Sequence, residues 1–435
     1  MQGFFLKLNQ IILNKPMIHF LTSVMIFILV FFEAIPCFAQ INYTSTQLLA
    51  SEIDTAAEMH LLLQNNLQFL KENKQGMPLI DKMEFRTESD ELNIQQQEFL
   101  FRMSFNKGRS RKVQDQIANN NIKLYETRSR LMDEAELAKR YERIVAWYYG
   151  QLELEQLKEK KVLLEDKKTV YQKMLVNALH VDIDDLLRVE ENILELDRDI
   201  SKLELLKAYA IGQLLPRDTQ FDYELDANLW ISIETMKQVL DENKELPTSN
   251  LEQAQQSAKV GFSQLKYDMG KSEANKILDF VQVKYARRGD LYFYEELSLG
   301  LAFNIPVKST SRVKMNKNML ELFDEQYKQQ LLETDLEEKI AMYYAGFNLV
   351  YKEYQLMQQQ IADNRLETTF EKYSTVEGAH PLTLLRIKES ILKNKRLVKE
   401  IEKDACLLFL EILRFKGLIH QIPTTNYLSD DLHSF

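Results

Sequence analysis

Leu186, Val189, Ile193, Leu196, Ile200, Leu203, Lys207, Ala210 and Leu214 step along the chain by threes and fours, and Leu384, Ile387, Ile391, Asn394, Val398, Ile401, Ala405, Leu408 and Ile412 do the same. The offset between the two runs is 198 (384 less 186) and holds at all nine positions. A 3-4-3-4 apolar seam is the pattern by which helices pack as coiled coils. About half the chain is therefore written twice, and function is to be sought in a tandem repeat, not in one catalytic pocket.

Ahead of each seam lies a longer stretch free of proline and of turn clusters, from Gly108 to Ala178 and from Ser311 to Val376. Ile117, Leu124, Leu131, Ala138, Val145 and Leu152 recur every seven residues in the first, and Ile340, Tyr343, Phe347, Val350, Tyr354, Met357 and Ile361 keep the three-four rule in the second. At about 1.5 Å per residue each stretch predicts a continuous helix of roughly 100 Å. Short breaks, Asn177 to Asp185 and Glu377 to Thr383, separate each long helix from its seam. Helices from Thr46 to Glu72 and from Asn250 to Lys276 open the copies. Pro216 to Pro247 joins them, with a short helix from Ile231 to Glu242, and the tail after Gln421 reads as poorly ordered.

Four segments replace the helical period with period two. Met83, Phe85 and Thr87 alternate with Lys82, Glu84, Arg86 and Glu88, and Phe99, Phe101, Met103 and Phe105 alternate with Arg102, Ser104 and Asn106. In the second copy Val281, Val283 and Tyr285 oppose Gln282, Lys284 and Ala286, and after an Arg288-Gly289-Asp290 turn Leu297, Leu299, Leu301, Phe303 and Ile305 oppose Ser298, Gly300, Ala302 and Asn304. Apolar residues on one face and small or polar residues on the other are how transmembrane barrel strands read. Tyr292, Phe293 and Tyr294 stand where an interfacial aromatic belt would fall. Two amphipathic hairpins on a soluble core are the alternative. Because four strands cannot enclose a lumen and open edges are forbidden in lipid, strands that enter a membrane require several chains to pool them.

At the amino terminus Lys7 and Lys15 precede the apolar run Phe20 to Phe32, and Cys37-Phe38-Ala39 supplies a cleavage site, so a secretory signal over residues 1–39 is expected, with translation from Met1 or Met17. A retained anchor is the alternative. The formal net charge is −10, and loss of Lys7, Lys15 and Glu33 makes it one unit more negative. An acidic chain without a basic block is a poor nucleic acid binder. After cleavage Cys406 alone remains, which leaves no intramolecular disulfide. Twelve glycines in 435 residues are too few for the turns of an α/β enzyme. The sequence has no Walker loop, dinucleotide fingerprint, HExxH or Gly-x-Ser-x-Gly elbow, and neither a cofactor nor a metal is expected. The adjacent carboxylates Glu190-Glu191 and Glu337-Glu338 read as solvated helix faces.

The chain resembles the TolC-like outer membrane factor (outer membrane efflux protein) family. The resemblance rests on Leu297-Ser298-Leu299-Gly300-Leu301-Ala302-Phe303-Asn304-Ile305-Pro306-Val307, a strand running through proline into a long helix, and on the mid-helix segments Ala146-Trp147-Tyr148-Tyr149-Gly150 and Ala341-Met342-Tyr343-Tyr344-Ala345-Gly346. Tyr373-Ser374-Thr375-Val376-Glu377-Gly378 with Leu382-Thr383-Leu384-Leu385 is similar to the family's second tip turn. The first copy departs from it at Asn177 to Asp184, and the second inserts His380-Pro381.

The resemblance implies a mainly α fold with a small transmembrane β part: tandem long helical hairpins forming a coiled-coil tunnel, and four strands per chain within a trimeric twelve-stranded barrel. On this reading residues 40–215 are the first repeat with strand pair 82–106, residues 216–248 the connector, residues 249–420 the second repeat with strand pair 277–307, and residues 421–435 the tail. It also implies a homotrimer in outer membrane lipid that reaches into the periplasm of a Gram-negative cell. There it would be a passive duct for drugs, metal ions or polypeptides, served by a periplasmic adaptor (membrane fusion protein) and an inner-membrane transporter. Leu179, His180, Gly378, Ala379, His380 and Pro381 would form the adaptor-contact tip. A periplasmic tethering coiled coil, or the adaptor itself, are rival readings.

Three groups are candidate sites. Asp182, Asp184 and Asp185 at the first tip and Glu371 and Glu377 at the second would form like-charged rings that favour cations, although aspartate also caps helices. His380 could sense pH or be an exposed turn residue. Arg102 and Lys284 would line the barrel lumen, where water alone could solvate them.

Overall fold

The computed structural model describes residues 41–50, 57–74, 76–89, 97–176, 183–215, 223–226, 230–245, 250–275, 277–288, 294–303, 310–378 and 380–435. The signal segment, the aromatic residues Tyr292 and Phe293, the 304–307 end of the last strand, and Leu179, His180, Asp182 and Ala379 lie outside the described residues.

The chain divides into two compact units. The first comprises residues 1–44 and 217–226, and its described part is a parallel pair of strands, β1 (Ile41–Tyr43) and β4 (Tyr223–Leu225), registered Ile41 to Tyr223 and Tyr43 to Leu225. The Asp226 amide donates to the Tyr43 carbonyl at 2.9 Å. Sequence reading places no strand at either site, since three residues are too few for a period of two to register.

In the second unit, α1 (Ser45–Ala50) and α2 (Ala57–Glu72) precede β2 (Ile80–Ser89), β3 (Gln97–Phe105), α3 (Gly108–Val176) and α4 (Ile183–Leu214). After α5 (Ile233–Glu242) and α6 (Leu251–Ala274), the order recurs as β5 (Leu278–Arg288), β6 (Tyr294–Phe303), α7 (Thr310–Asn364), α8 (Leu366–Ser374) and α9 (Pro381–Phe415). The helix starts follow from their caps. Ser232 Oγ accepts from the Thr235 amide at 3.1 Å, Asn250 Oδ1 accepts from the Glu252 amide at 2.7 Å, and Pro381 occupies the first turn of α9, where a missing N–H costs nothing. At 69 residues and about 1.5 Å each, α3 runs roughly 100 Å.

The four long strands form one antiparallel sheet in the order β2-β3-β5-β6, so the two repeats meet at the β3–β5 pair. A register irregularity stands at the same repeat position in each copy, between Ile80 and Lys82 and between Leu278 and Phe280. Where the strands give way to helices, the Asn106 amide extends the β2–β3 pairing by donating to the Leu79 carbonyl at 2.9 Å, and the hydroxyls of Ser110 on α3 and Ser272 on α6 meet, buried, at 2.7 Å.

Among the described residues, buried side chains gather along two stretches of the helices. The first copy's seam does what its period demands: Val189, Leu196 and Ile200 of α4 are buried with Leu154, Leu157, Leu164 and Tyr171 of α3, flanked by Leu186, Ile193 and Leu203. Farther up α3, Tyr141, Ile144, Val145 and Trp147 are buried, as are Ala405, Cys406, Phe409, Ile412 and Leu413 of α9. Tyr148 stacks on Trp230 with ring centroids 3.7 Å apart, closing this core toward the connector.

Two expectations fail. The second long helix is not continuous: Arg365 sits in the left-handed region at φ 44° and divides α7 from α8. The tail is not poorly ordered either. Asn426 is fully buried, its Nδ2 donating to Ser45 Oγ and Thr46 Oγ1 at 2.9 Å each and its Oδ1 accepting from the Leu428 amide at 2.9 Å. Tyr141 donates to the Thr425 carbonyl at 2.7 Å, the Ile231 amide to Leu428 at 3.0 Å, and the Ser232 amide to Asp430 at 2.8 Å. A polar composition reads as disorder only while its partners, here on α1, α3 and the start of α5, are unknown.

Candidate functional site

The register of the sheet lines its side chains into rows. Met83, Met103, Val281 and Leu301 form one row; Phe85, Phe101, Val283 and Leu299 the next; Thr87, Phe99, Tyr285 and Leu297 a third. All twelve share one face because side chains alternate along a strand. That face is bare: Leu297, Leu299, Leu301, Phe303, Met83 and Phe85 are each more than half exposed, Leu297 at 75 %. An apolar sheet face this large in water is anomalous, and it is ordinary in lipid.

The opposite face carries the charges. Arg102 is held on three sides: a guanidinium nitrogen lies 3.8 Å from Glu84, another donates to Gln282 Oε1 at 3.2 Å, and the group sits 4.1 Å from the Phe280 ring centre. Lys284 pairs with Glu98 across the β3–β5 ladder. Both residues named from sequence as lumen candidates thus lie on the polar face, each engaged by a carboxylate. Sequence reasoning passed over Glu84 and Glu98 as acceptors, since only the cross-strand register brings them to their cations.

At the far end of the helices, Asp184 and Asp185 occupy the first turn of α4, where carboxylates oppose the positive end of the helix dipole. Glu371 lies on α8, and Glu377 and Gly378 in the turn after it, with Gly378 at φ 83°. His380 and Pro381 open α9, His380 standing at the cap position without a side-chain capping bond. Exposed Val176, Ile183 and Val376 surround these breaks.

Among the described residues, the helices also carry apolar side chains that stay largely exposed. On α7, Val313, Leu320 and Tyr327 step by seven, and Met342, Leu349 and Leu356 do likewise, all more than half exposed. On α4, Leu194, Leu205 and Tyr209, spaced by eleven and four, are likewise more than half exposed. A second heptad stripe outside the intrachain seam is what a helix needs to pack against another copy. No helix among the described residues is long and apolar enough to cross a membrane, and none of these residues forms a group of three or more His, Cys, Asp or Glu suited to a metal. Cys406 is buried, and burial pushes its thiol far above the ordinary range, so it packs as an apolar residue. Concavities of about 730 Å³, between α2, α3 and α6, and about 320 Å³, between α3 and α9, are open and lined by mixed side chains.

No protein-family model and no curated protein matches the chain by sequence. Solved structures do. CusC, described as forming a transmembrane channel, matches with a TM-score of 0.57 at 10% identity, over 87% of this chain and 92% of its own. The outer membrane protein VceC of Vibrio cholerae matches at 0.55 and 10% identity, over 86% of this chain and 95% of its own. The open state of the MtrE outer membrane channel of Neisseria gonorrhoeae matches at 0.53 and 10% identity, over 86% and 88%. The chain therefore has the fold of these outer membrane channels, spanning nearly their whole length.

Proposed function

We propose that this chain is a TolC-like outer membrane factor: a passive exit duct, built from three copies, that is anchored in the outer membrane by a twelve-stranded barrel and extends through the periplasm as a helical tunnel. The observation that carries this reading is the sheet, whose apolar face is largely exposed and whose two edges, β2 and β6, pair with no further strand among the described residues. Lipid tolerates the first and forbids the second, and closure by further copies satisfies both. The uncovered stripes on α4 and α7 support the same assembly. A periplasmic adaptor and an inner-membrane transporter would engage the exposed tip residues around Gly378, His380 and Pro381, with Asp184, Asp185, Glu371 and Glu377 as candidate gate charges. A tethering coiled coil explains the seams and leaves the amphipathic sheet without a purpose.

The test joins assembly to sheet orientation. Purified from outer membranes, the protein should run as an SDS-resistant, heat-modifiable trimer and form channels in planar bilayers. Leu301→Arg, on the lipid face, should lower barrel stability by about 2–4 kcal/mol, whereas Ala302→Arg should assemble normally and alter conductance. A monodisperse monomer with its sheet intact, or identical behaviour of the two variants, would refute the reading.

A further inference from the structure

The polar face of the sheet differs between the two copies. In register, Lys82, Glu84, Arg86 and Arg102 of the first copy correspond to Phe280, Gln282, Lys284 and Gly300 of the second, each 198 positions later. Glu84 is the centre of the charged group: its carboxylate lies 3.7 Å from Lys82, 3.8 Å from Arg86 and 3.8 Å from Arg102. Three cations thus converge on one carboxylate, while Glu88 pairs with Arg86 at 3.4 Å. In the second copy Gln282 holds the equivalent place, its side chain lying over Gly300, where an added Cβ would come within 2.8 Å of Gln282 Cγ.

We propose that Glu84 sets the ion selectivity of the barrel lumen by neutralising this cation cluster. The inference rests on the channel reading above and deepens it. With Glu84 in place, the three cations present a partly cancelled field to passing ions; without it, Glu88 would still offset Arg86, while Lys82 and Arg102 would lose their carboxylate, face the lumen and favour anions. Because the second copy is largely neutral here, a trimer would alternate three charged sectors with three neutral ones around the wall, and Glu84, the carboxylate that reaches all three cations, sets the balance of the charged ones.

Reversal potentials across a potassium chloride gradient in planar bilayers test this. Glu84→Gln, which writes the second copy's residue into the first, should shift selectivity toward chloride, and Lys82→Gln should shift it toward potassium. Both shifts should shrink between about 0.1 M and 1 M salt as the screening length falls from about 10 Å to about 3 Å. Channels of normal conductance whose reversal potential is unmoved by Glu84→Gln, or moved the same way by both substitutions, would overturn the proposal. If Glu84→Gln fails to assemble, Lys82→Gln decides: a potassium-directed shift supports the proposal and no shift refutes it. Failure of the unaltered protein to form any channel would instead sink the channel reading itself.

Discussion

The two descending helices begin from the same sequence pattern and end differently. Strands start 198 positions apart at Ile80 and Leu278, descending helices end 198 apart at Val176 and Ser374, and ascending helices start 198 apart at Ile183 and Pro381. Nothing has been inserted, yet the second copy breaks at Arg365 while its counterpart, Lys167, sits inside an unbroken helix. Packing separates them. Below Leu154 the first helix buries Leu157, Leu163, Leu164 and Tyr171, while below Phe347 neither α7 nor α8 has a buried residue. Local propensity then decides: Asp363-Asn364 replaces Glu165-Asp166, and aspartate and asparagine bond to nearby backbone more readily than glutamate does. Buried contacts hold a weak helical stretch straight, and without them it yields.

The largest expected effect tests that packing. Leu196→Ala empties a site 4 % exposed in the first core and should cost about 2–5 kcal/mol in thermal or denaturant unfolding. Asn394→Ala, at the same repeat position and half-buried, should cost far less; equal losses would mean the two hairpins are packed alike.

Backbone conformation gives a smaller effect of opposite sign in the two copies. Arg365→Gly should stabilise by on the order of 0.5–1 kcal/mol, because glycine adopts a positive φ without the Cβ clash. Lys167→Gly should destabilise by about 1 kcal/mol, as glycine does inside a helix. Stabilisation by both, or by neither, would remove the break as a real difference between the hairpins.

The smallest effect is a titration. Burial raises the Glu411 carboxyl above its usual value of 4.5, with Arg414 opposing. A raised folded-state pKa gives stability that is complete below the unfolded value and lost as pH rises through the folded one. Ionised Glu411 therefore weakens the fold at neutral pH. Glu411→Gln, matching Gln213 of the first copy, should raise the melting temperature at pH 7 and lose that advantage below about pH 4.5. A pH-independent gain would assign the effect to packing instead.

The repeat, the long helices, the strand pairs and the face each strand residue takes were legible from spacing, because periods of 3.6 and 2 are written locally. Elements without a period were not. Arg365 is one helical residue among many in the sequence, and only its turn into the left-handed region marks it. Asn426 and Tyr427 look like a polar terminus until Ser45, Thr46 and Tyr141 are seen beside them. Arg102, Lys284 and Glu84 were visible as charges on a strand face, and the pairing of Arg102 with Glu84 and of Lys284 with Glu98 was not.

By itself, then, the sequence determined which residues share a helix seam or a sheet face, since those patterns arise from the geometry of one chain segment repeating along itself. Tertiary structure alone decided which seam is covered, where the second helix breaks, how the tail closes the core, and that one carboxylate answers three cations. The covered seam, the break and the tail depend on groups far apart in the chain coming into contact or failing to, and the carboxylate on a cross-strand register that adds Arg102 to its neighbours Lys82 and Arg86; no local period encodes such a meeting.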